Sequence, residues 1–171
     1  AIAGMSWIHL RGLGPGRVTV NTLATLKITA FVLFVAAGFS FGQGSPSNLT
    51  TGGDVAPTSW LLALVAVMFT YSGWNAAAYV SEEIRDPGRN VPKALGLGTA
   101  AVVGIYLLLN LLYLYAMPRA DLAGLMGARL IDIVAERLFG FVAANLIALF
   151  TIISLAASIS AMVLAGPRVY Y

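Results

Sequence analysis

Seven residues, Phe69-Thr70-Tyr71-Ser72-Gly73-Trp74-Asn75, interrupt an apolar run near its middle. Ser72 and Gly73 weaken a helix there. Gly costs about 1 kcal/mol against Ala in a helix, and a Ser hydroxyl bonds its own backbone instead of propagating the ladder. A helix that opens inside a bilayer frees backbone groups that lipid cannot satisfy. The carbonyls of Phe69, Thr70 and Ser72 would then accept hydrogen bonds from an ammonium group, and the amides that start the resumed half-helix would donate to an anion. That pair of dipoles suits an α-amino acid, so the chemistry on offer is binding rather than bond-making. Phe69 is placed to cap such a cavity and Trp74 to line or pack it. The same residues also suit a continuous helix: Ser72 and Gly73 are small enough for close helix packing, and a membrane Asn such as Asn75 often bonds a neighbouring helix.

Lys27 is the second residue out of keeping with its surroundings. It lies about ten residues into an apolar run, or roughly 14 Å deep at 1.5 Å per residue. A charge at a helix centre costs about 2.5–3.5 kcal/mol on insertion scales. None of the apolar runs holds an Asp or Glu to pair with it. Lys27 is therefore neutral, bonded to carbonyls, paired with groups in further helices, or snorkelling to an interface that its depth makes hard to reach. Asn110 with Tyr113, and Ser154, Ser158 and Ser160, are polar groups in apolar surroundings and suit interhelical hydrogen bonds. Ser158, Ala161 and Ala165 give small-residue packing at helical spacing.

Bond-making chemistry finds little support. Glu82 and Glu83 are adjacent, with no partner nucleophile in view; with Arg85 they read as gate salt bridges or as a solvated loop. His9 is alone, and the chain has no cysteine, which excludes a disulfide framework and a thiolate metal site. No metal site, cofactor or phosphate loop is expected. Asn48-Leu49-Thr50 matches a glycosylation sequon, a short pattern that recurs by chance.

The elements that must position these residues are membrane helices. The chain is 59% apolar and 10% charged, with a mean hydropathy of +0.86, where a soluble domain carries about 25% charged residues. Four apolar runs reach the span length of about 20 residues: 18–41, 58–81 with its break near 70–75, 95–117 and 141–165. The net charge of +3 is too small to argue for nucleic acid. The chain starts at Ala1 inside an apolar segment, without an initiator Met or a signal-peptide pattern, and reads as a piece of a longer protein. Arg11-Gly12-Leu13-Gly14-Pro15-Gly16-Arg17 is a turn signal. Within 118–140, Leu130, Val134 and Leu138 recur at helical spacing opposite Arg129, Asp132 and Glu136, which predicts an interfacial helix over 129–139. Arg11, Arg17, Arg85, Arg89, Lys93 and Arg168 fall on one side of the four spans, and Arg119, Arg129 and Arg137 on the other. The positive-inside rule makes the first side, with the loop 82–93, cytoplasmic.

F-x-Y-x-G-W-N (Phe69–Asn75) followed by E-E-I-R-D-P-G-R-N-V-P-K-A (Glu82–Ala94) resembles the sixth helix and following loop of amino acid–polyamine–organocation permeases, closest to their L-type and bacterial amino-acid branch. V-N-T-L-A-T-L-K-I-T-A (Val20–Ala30) resembles the fifth helix, Y-L-L-L-N-L-L-Y (Tyr106–Tyr113) the seventh, and S-L-A-A-S-I-S-A-M-V-L-A-G-P-R-V (Ser154–Val169) the eighth. The resemblance implies an all-α integral membrane protein carrying part of a five-plus-five inverted-repeat, LeuT-like fold, with about four transmembrane helices present. The broken first helix and the third and tenth helices would be missing partners. It implies Phe69 and Trp74 at the gate, and Phe69, Thr70, Ser72, Gly73 and Asn75 against the substrate. Some antiporters of the family carry a Glu where Asn75 stands; Asn cannot titrate. It also implies that Lys27 substitutes for a sodium ion, with Ser158 as its best local partner. The expected function is sodium-independent, alternating-access transport of amino acids across the plasma (cell inner) membrane, by proton coupling or exchange. The alternative is a non-transporting four-span subunit or permease remnant. The expected partners are an amino-acid substrate, the lipid bilayer and the missing helices, with no nucleic acid.

Overall fold

Backbone amides and carbonyls must pair with one another where water is absent, and the apolar runs of this chain do so within helices. The computed structural model describes residues 13–50, 56–73, 81, 84–125 and 130–165. Its helices are α1 (Leu13–Phe41), α2 (Ser47–Thr50), α3 (Pro57–Thr70), α4 (Pro87–Ala116), α5 (Arg119–Gly124), α6 (Leu130–Phe139) and α7 (Phe141–Ala165), with no strand among the described residues. Three stretches, Val18–Phe41, Pro87–Ala116 and Phe141–Val163, are long and apolar enough to cross a membrane. The protein is an all-α membrane protein. The second apolar run is different: its helix α3 has only 14 residues.

Helix α4 starts at Pro87, earlier than the run of apolar residues at 95–117. Pro87 occupies the first turn, where its missing N–H costs nothing and its fixed φ suits a helix. Asp86 precedes it at φ 49°, a left-handed conformation that short polar side chains tolerate. Its carbonyl accepts the amides of Arg89 and Asn90, each at 3.0 Å, and Asn90 Nδ2 donates to the Arg85 carbonyl at 2.5 Å. The charged, proline-rich segment is thus partly the first turns of a helix, because its prolines fall where a helix start accepts them.

Helices α1, α4, α6 and α7 form the packed unit. Phe34 and Val35 of α1, Leu109, Leu112 and Ala116 of α4, and Val134, Ala135 and Leu138 of α6 make its core, at the C-terminal ends of α1 and α4. α1 and α4 run parallel: Gly38 lies against Leu112, and further along the Phe39 and Tyr115 rings are 5.3 Å apart. Phe31 of α1 meets Phe150 of α7 at 5.3 Å, and Phe34 of α1 meets Phe139, the last residue of α6, at 6.1 Å. Helix α6 buries Val134 and Leu138 and exposes Glu136 and Arg137. The apolar face of this amphipathic helix is therefore taken up by protein. It ends at Gly140, whose φ of +86° and amide bond to the Glu136 carbonyl (2.7 Å) turn the chain into α7.

The last carbonyls of a helix lack partners in their own helix, and the segment after α1 supplies donors to α4. The Ser45 amide (2.9 Å) and Asn48 Nδ2 (3.2 Å) both donate to the Tyr115 carbonyl. The Asn48 amide of the sequon thus holds a half-buried structural bond.

Lipid chains are as apolar as leucine, so packing rather than exclusion of water joins helices in a bilayer. Gly38 allows the approach of α1 to α4: a Cβ there would lie 2.5 Å from Cδ1 of fully buried Leu112. Gly38→Val is expected to destabilise the fold by about 1–3 kcal/mol through overpacking, read as a lower melting temperature in detergent. Gly96→Val, on the same element type but facing open space, should lose less than half as much; equal losses would rule out overpacking as the cause.

Candidate functional site

Helix α3 spans about 21 Å at 1.5 Å per residue, against a hydrocarbon core of about 30 Å. It stops at Thr70, and Tyr71, Ser72 and Gly73 form a turn. The last hydrogen bonds show how it stops. The Tyr71 amide still reaches back four residues to the Val67 carbonyl at 3.1 Å, but the Ser72 amide bonds the Phe69 carbonyl, three residues back, at 3.1 Å. Tyr71 sits at φ −90°, ψ 9°, and Gly73 at φ +95°, where an L side chain is strained. Thr70 Oγ1 folds back onto the Ala66 carbonyl at 3.0 Å. Of the two arrangements open to Ser72 and Gly73, a continuous helix does not occur through Gly73.

Two cavities line the cleft between α3 and α4. One, of about 470 Å³, is bounded by Thr70–Gly73 on one side and by Ala94, Leu95, Gly98, Thr99, Val102 and Tyr106 on the other. The second, of about 560 Å³, lies between Ala66, Val67, Thr70 and Tyr71 and the α4 residues Tyr106, Leu107, Leu109, Asn110 and Tyr113. As α3 advances from Ala66 to Gly73, its partners on α4 retreat from Tyr113 to Ala94, so the two helices are antiparallel. Among the described residues, none that lines either cavity is charged.

The site residues expected from sequence divide among three places. Thr70, Ser72 and Gly73 line the smaller cavity. Phe69 lies outside the lining of both cavities and is 77% exposed; its carbonyl already accepts the Ser72 amide, so one lone pair remains for a ligand. Trp74, Asn75, Glu82 and Glu83 lie outside the described residues, as does His9. Lys27 is half-buried on α1. Lys27 lies one turn before Phe31, whose ring meets Phe150 of α7 at 5.3 Å, and Ser154 lies one turn after Phe150. Ser158, one turn further along α7, is exposed and donates to the Ser154 carbonyl at 3.2 Å. Among the described residues Lys27 and Ser158 do not bond each other.

Tyr71 and Tyr106 were not expected as site residues, yet they border both cavities and their rings meet edge to face at 5.1 Å and 90°. Asn110 Nδ2 donates to the Tyr106 carbonyl at 2.8 Å. The signal available was the spacing of Tyr106, Asn110 and Tyr113, which places three polar tips on one helix face.

The profile of the family described as amino acid permease matches residues 1–171. The chain is 28% identical over 126 residues to b(0,+)-type amino acid transporter 1 of Mus musculus, covering 71% of this chain and 26% of that protein. The rat protein of the same name is 32% identical over 113 residues, covering 64% of this chain and 23% of the relative. The serine/threonine exchanger SteT of Bacillus subtilis is 29% identical over 154 residues, covering 89% of this chain and 34% of the exchanger. The chain thus spans between about a quarter and a third of the length of these relatives. No solved structure matches it.

Proposed function

This chain belongs to the amino acid permease family, and from that premise we propose that it carries the broken-helix half-site of a secondary amino-acid transporter working by alternating access. The observation that carries the reading is the end of α3 at Thr70, about two-thirds of the way through the depth of a bilayer, with a cavity at the turn. Backbone that irregular is tolerated at such depth only where protein or an aqueous cavity surrounds it. The Thr70 and Ser72 carbonyls and the open lone pair of Phe69 receive the substrate ammonium. Gly73 lets the backbone come close, and Asn75 supplies a polar contact. Phe69 and Trp74 close over the bound solute. The uncharged cavity linings favour amino acids with neutral side chains.

Lys27 stands in for a sodium ion, with Ser158 of α7 as its local partner. Drive comes from proton symport or from exchange. The 82–93 segment, which includes the first turns of α4, lies in the cytoplasm of a cell whose plasma (inner) membrane holds the protein, since Arg85, Arg89 and Lys93 cluster there. The remaining helices of the site come from the part of the family fold that these residues do not span.

Uptake of a labelled amino-acid panel into proteoliposomes holding the full-length protein tests the reading. A neutral amino acid that accumulates with an inward proton gradient marks a symporter. Uptake that ignores the gradient but needs amino acid inside marks an exchanger. Folded protein that moves none of the panel would overturn the transport reading in favour of a non-transporting membrane subunit.

A further inference from the structure

The residues that follow α1, 42–48, bond to the ends of two other helices. The Gln43 amide donates to the Leu138 carbonyl of α6 at 3.2 Å. The Ser45 amide and Asn48 Nδ2 both donate to the Tyr115 carbonyl of α4. A helix end whose last carbonyls are satisfied from another segment cannot leave that segment without exposing them again.

The packing follows the same lines as the hydrogen bonds. The Tyr115 ring meets the Phe39 ring at 5.3 Å and also lies against Gly44, so close that a Cβ on residue 44 would collide with ring carbons. A Cβ on Gly42 would lie 2.9 Å from Cδ2 of Leu138. Leu112 and Leu138 are fully buried in the cluster that these ends form. A single neutral hydrogen bond breaks and re-forms readily. Three such bonds on top of a close-packed cluster do not, because packed cores resist gradual deformation. The three helix ends therefore move together or come apart outright.

We propose that residues 42–48 are a clasp that keeps the C-terminal ends of α1, α4 and α6 together as one body throughout a transport cycle, so that any opening of the solute path leaves this corner intact. The cycle rests on the transport reading, but the clasp itself is testable without transport.

Hydrogen exchange in the full-length protein in detergent reads it directly, since exchange of a bonded amide follows local opening. The Ser45 amide is expected to be protected, and equally so with and without a saturating mixture of neutral amino acids. Gly44→Ala drives a methyl group into the Tyr115 ring and is expected to speed Ser45 exchange by roughly 5- to 150-fold, the range for overpacking. Asn48→Ala removes one donor and is expected to speed it by roughly 2- to 12-fold, the factor for one neutral hydrogen bond. It keeps the test decisive if Gly44→Ala does not fold. An unprotected Ser45 amide in the wild type, protection lost when amino acids are added, or exchange indifferent to both substitutions would each overturn the clasp.

A cross-link tests the cycle. The 171 residues contain no cysteine, so Gly44→Cys with Tyr115→Cys adds one pair of thiols to a full-length protein cleared of cysteines elsewhere. Loss of the ring makes room for the new Cβ. Bridging the pair with the shortest bis-methanethiosulfonate linker is expected to leave amino-acid uptake at the rate of the unbridged pair. Uptake lost on bridging and restored by reductant would mean that the ends part during the cycle, and would overturn the proposal. So would thiols too far apart to bridge. Wild-type protein that moves no amino acid while its Ser45 amide stays protected would leave the clasp standing and overturn only the transport reading.

Discussion

Lys27→Ala is expected to reduce amino-acid uptake by the full-length protein at least about tenfold and to remove any response to a proton gradient. The magnitude follows from the environment. Lys27 is half-buried on a membrane-spanning helix, and no acidic residue lies in the described spans to hold it. In the ion-substitute reading its ammonium is held by carbonyls and hydroxyls, and a hydrogen bond to a charged group contributes about 1.5–3 kcal/mol. At about 1.4 kcal/mol per factor of ten, losing one such bond slows uptake by roughly 10- to 150-fold. Lys27→Met separates charge from bulk, because it keeps an unbranched apolar stem of similar length. Uptake as in the wild type from Lys27→Met would sink the ion-substitute role. Lys27→Arg is expected to fail as well, since a planar fork does not replace a compact point charge.

Gly73→Val is expected to lower uptake by roughly 5- to 150-fold while leaving the protein folded, the factor that corresponds to about 1–3 kcal/mol of strain at a residue held in a sparsely populated conformation. Gly73 stands at φ +95°, and a Cβ added there meets nothing within 4 Å. A Cβ there collides with none of the described residues, so the backbone preference of a β-branched L residue is the cause within them. The substituted chain relieves the strain by changing φ at position 73, which redirects the turn that ends α3. Gly96→Ala serves as the control, because it too faces open space but lies in a regular helix; its uptake should match the wild type. Wild-type uptake from Gly73→Val, measured with a monodisperse protein, would show that the geometry of the turn is not needed.

Much of the helical content was legible from hydropathy, because a bilayer dictates both length and internal hydrogen bonding. The interruption at Phe69–Asn75 was legible for a local reason: Ser72 and Gly73 are adjacent and both weaken a helix. The start of α4 was less so. Pro87 and Pro92 read as loop residues, yet Pro87 takes the first helical position after Asp86 turns the chain at φ 49°. Helical periodicity identified the face of α6 with Val134 and Leu138 but not what covers it. A lipid interface and a neighbouring helix end present the same apolar chemistry to an amphipathic stripe. Here the C-terminal ends of α1 and α4 do the covering.

The membrane class, the helical runs, the weak point in the second run and the lack of an acidic residue near Lys27 in its own run were all readable from residue order alone. Each of these depends on neighbours along the chain or on the bilayer acting as solvent. The packing of the helices, in contrast, sets Gly38 against Leu112, Phe31 against Phe150, and Tyr71 against Tyr106 across a cleft. Those pairs lie between 35 and 119 positions apart in the chain. No local preference encodes a contact at such separations; it is set by how whole helices pack, with small residues bringing backbones together and larger ones holding them apart.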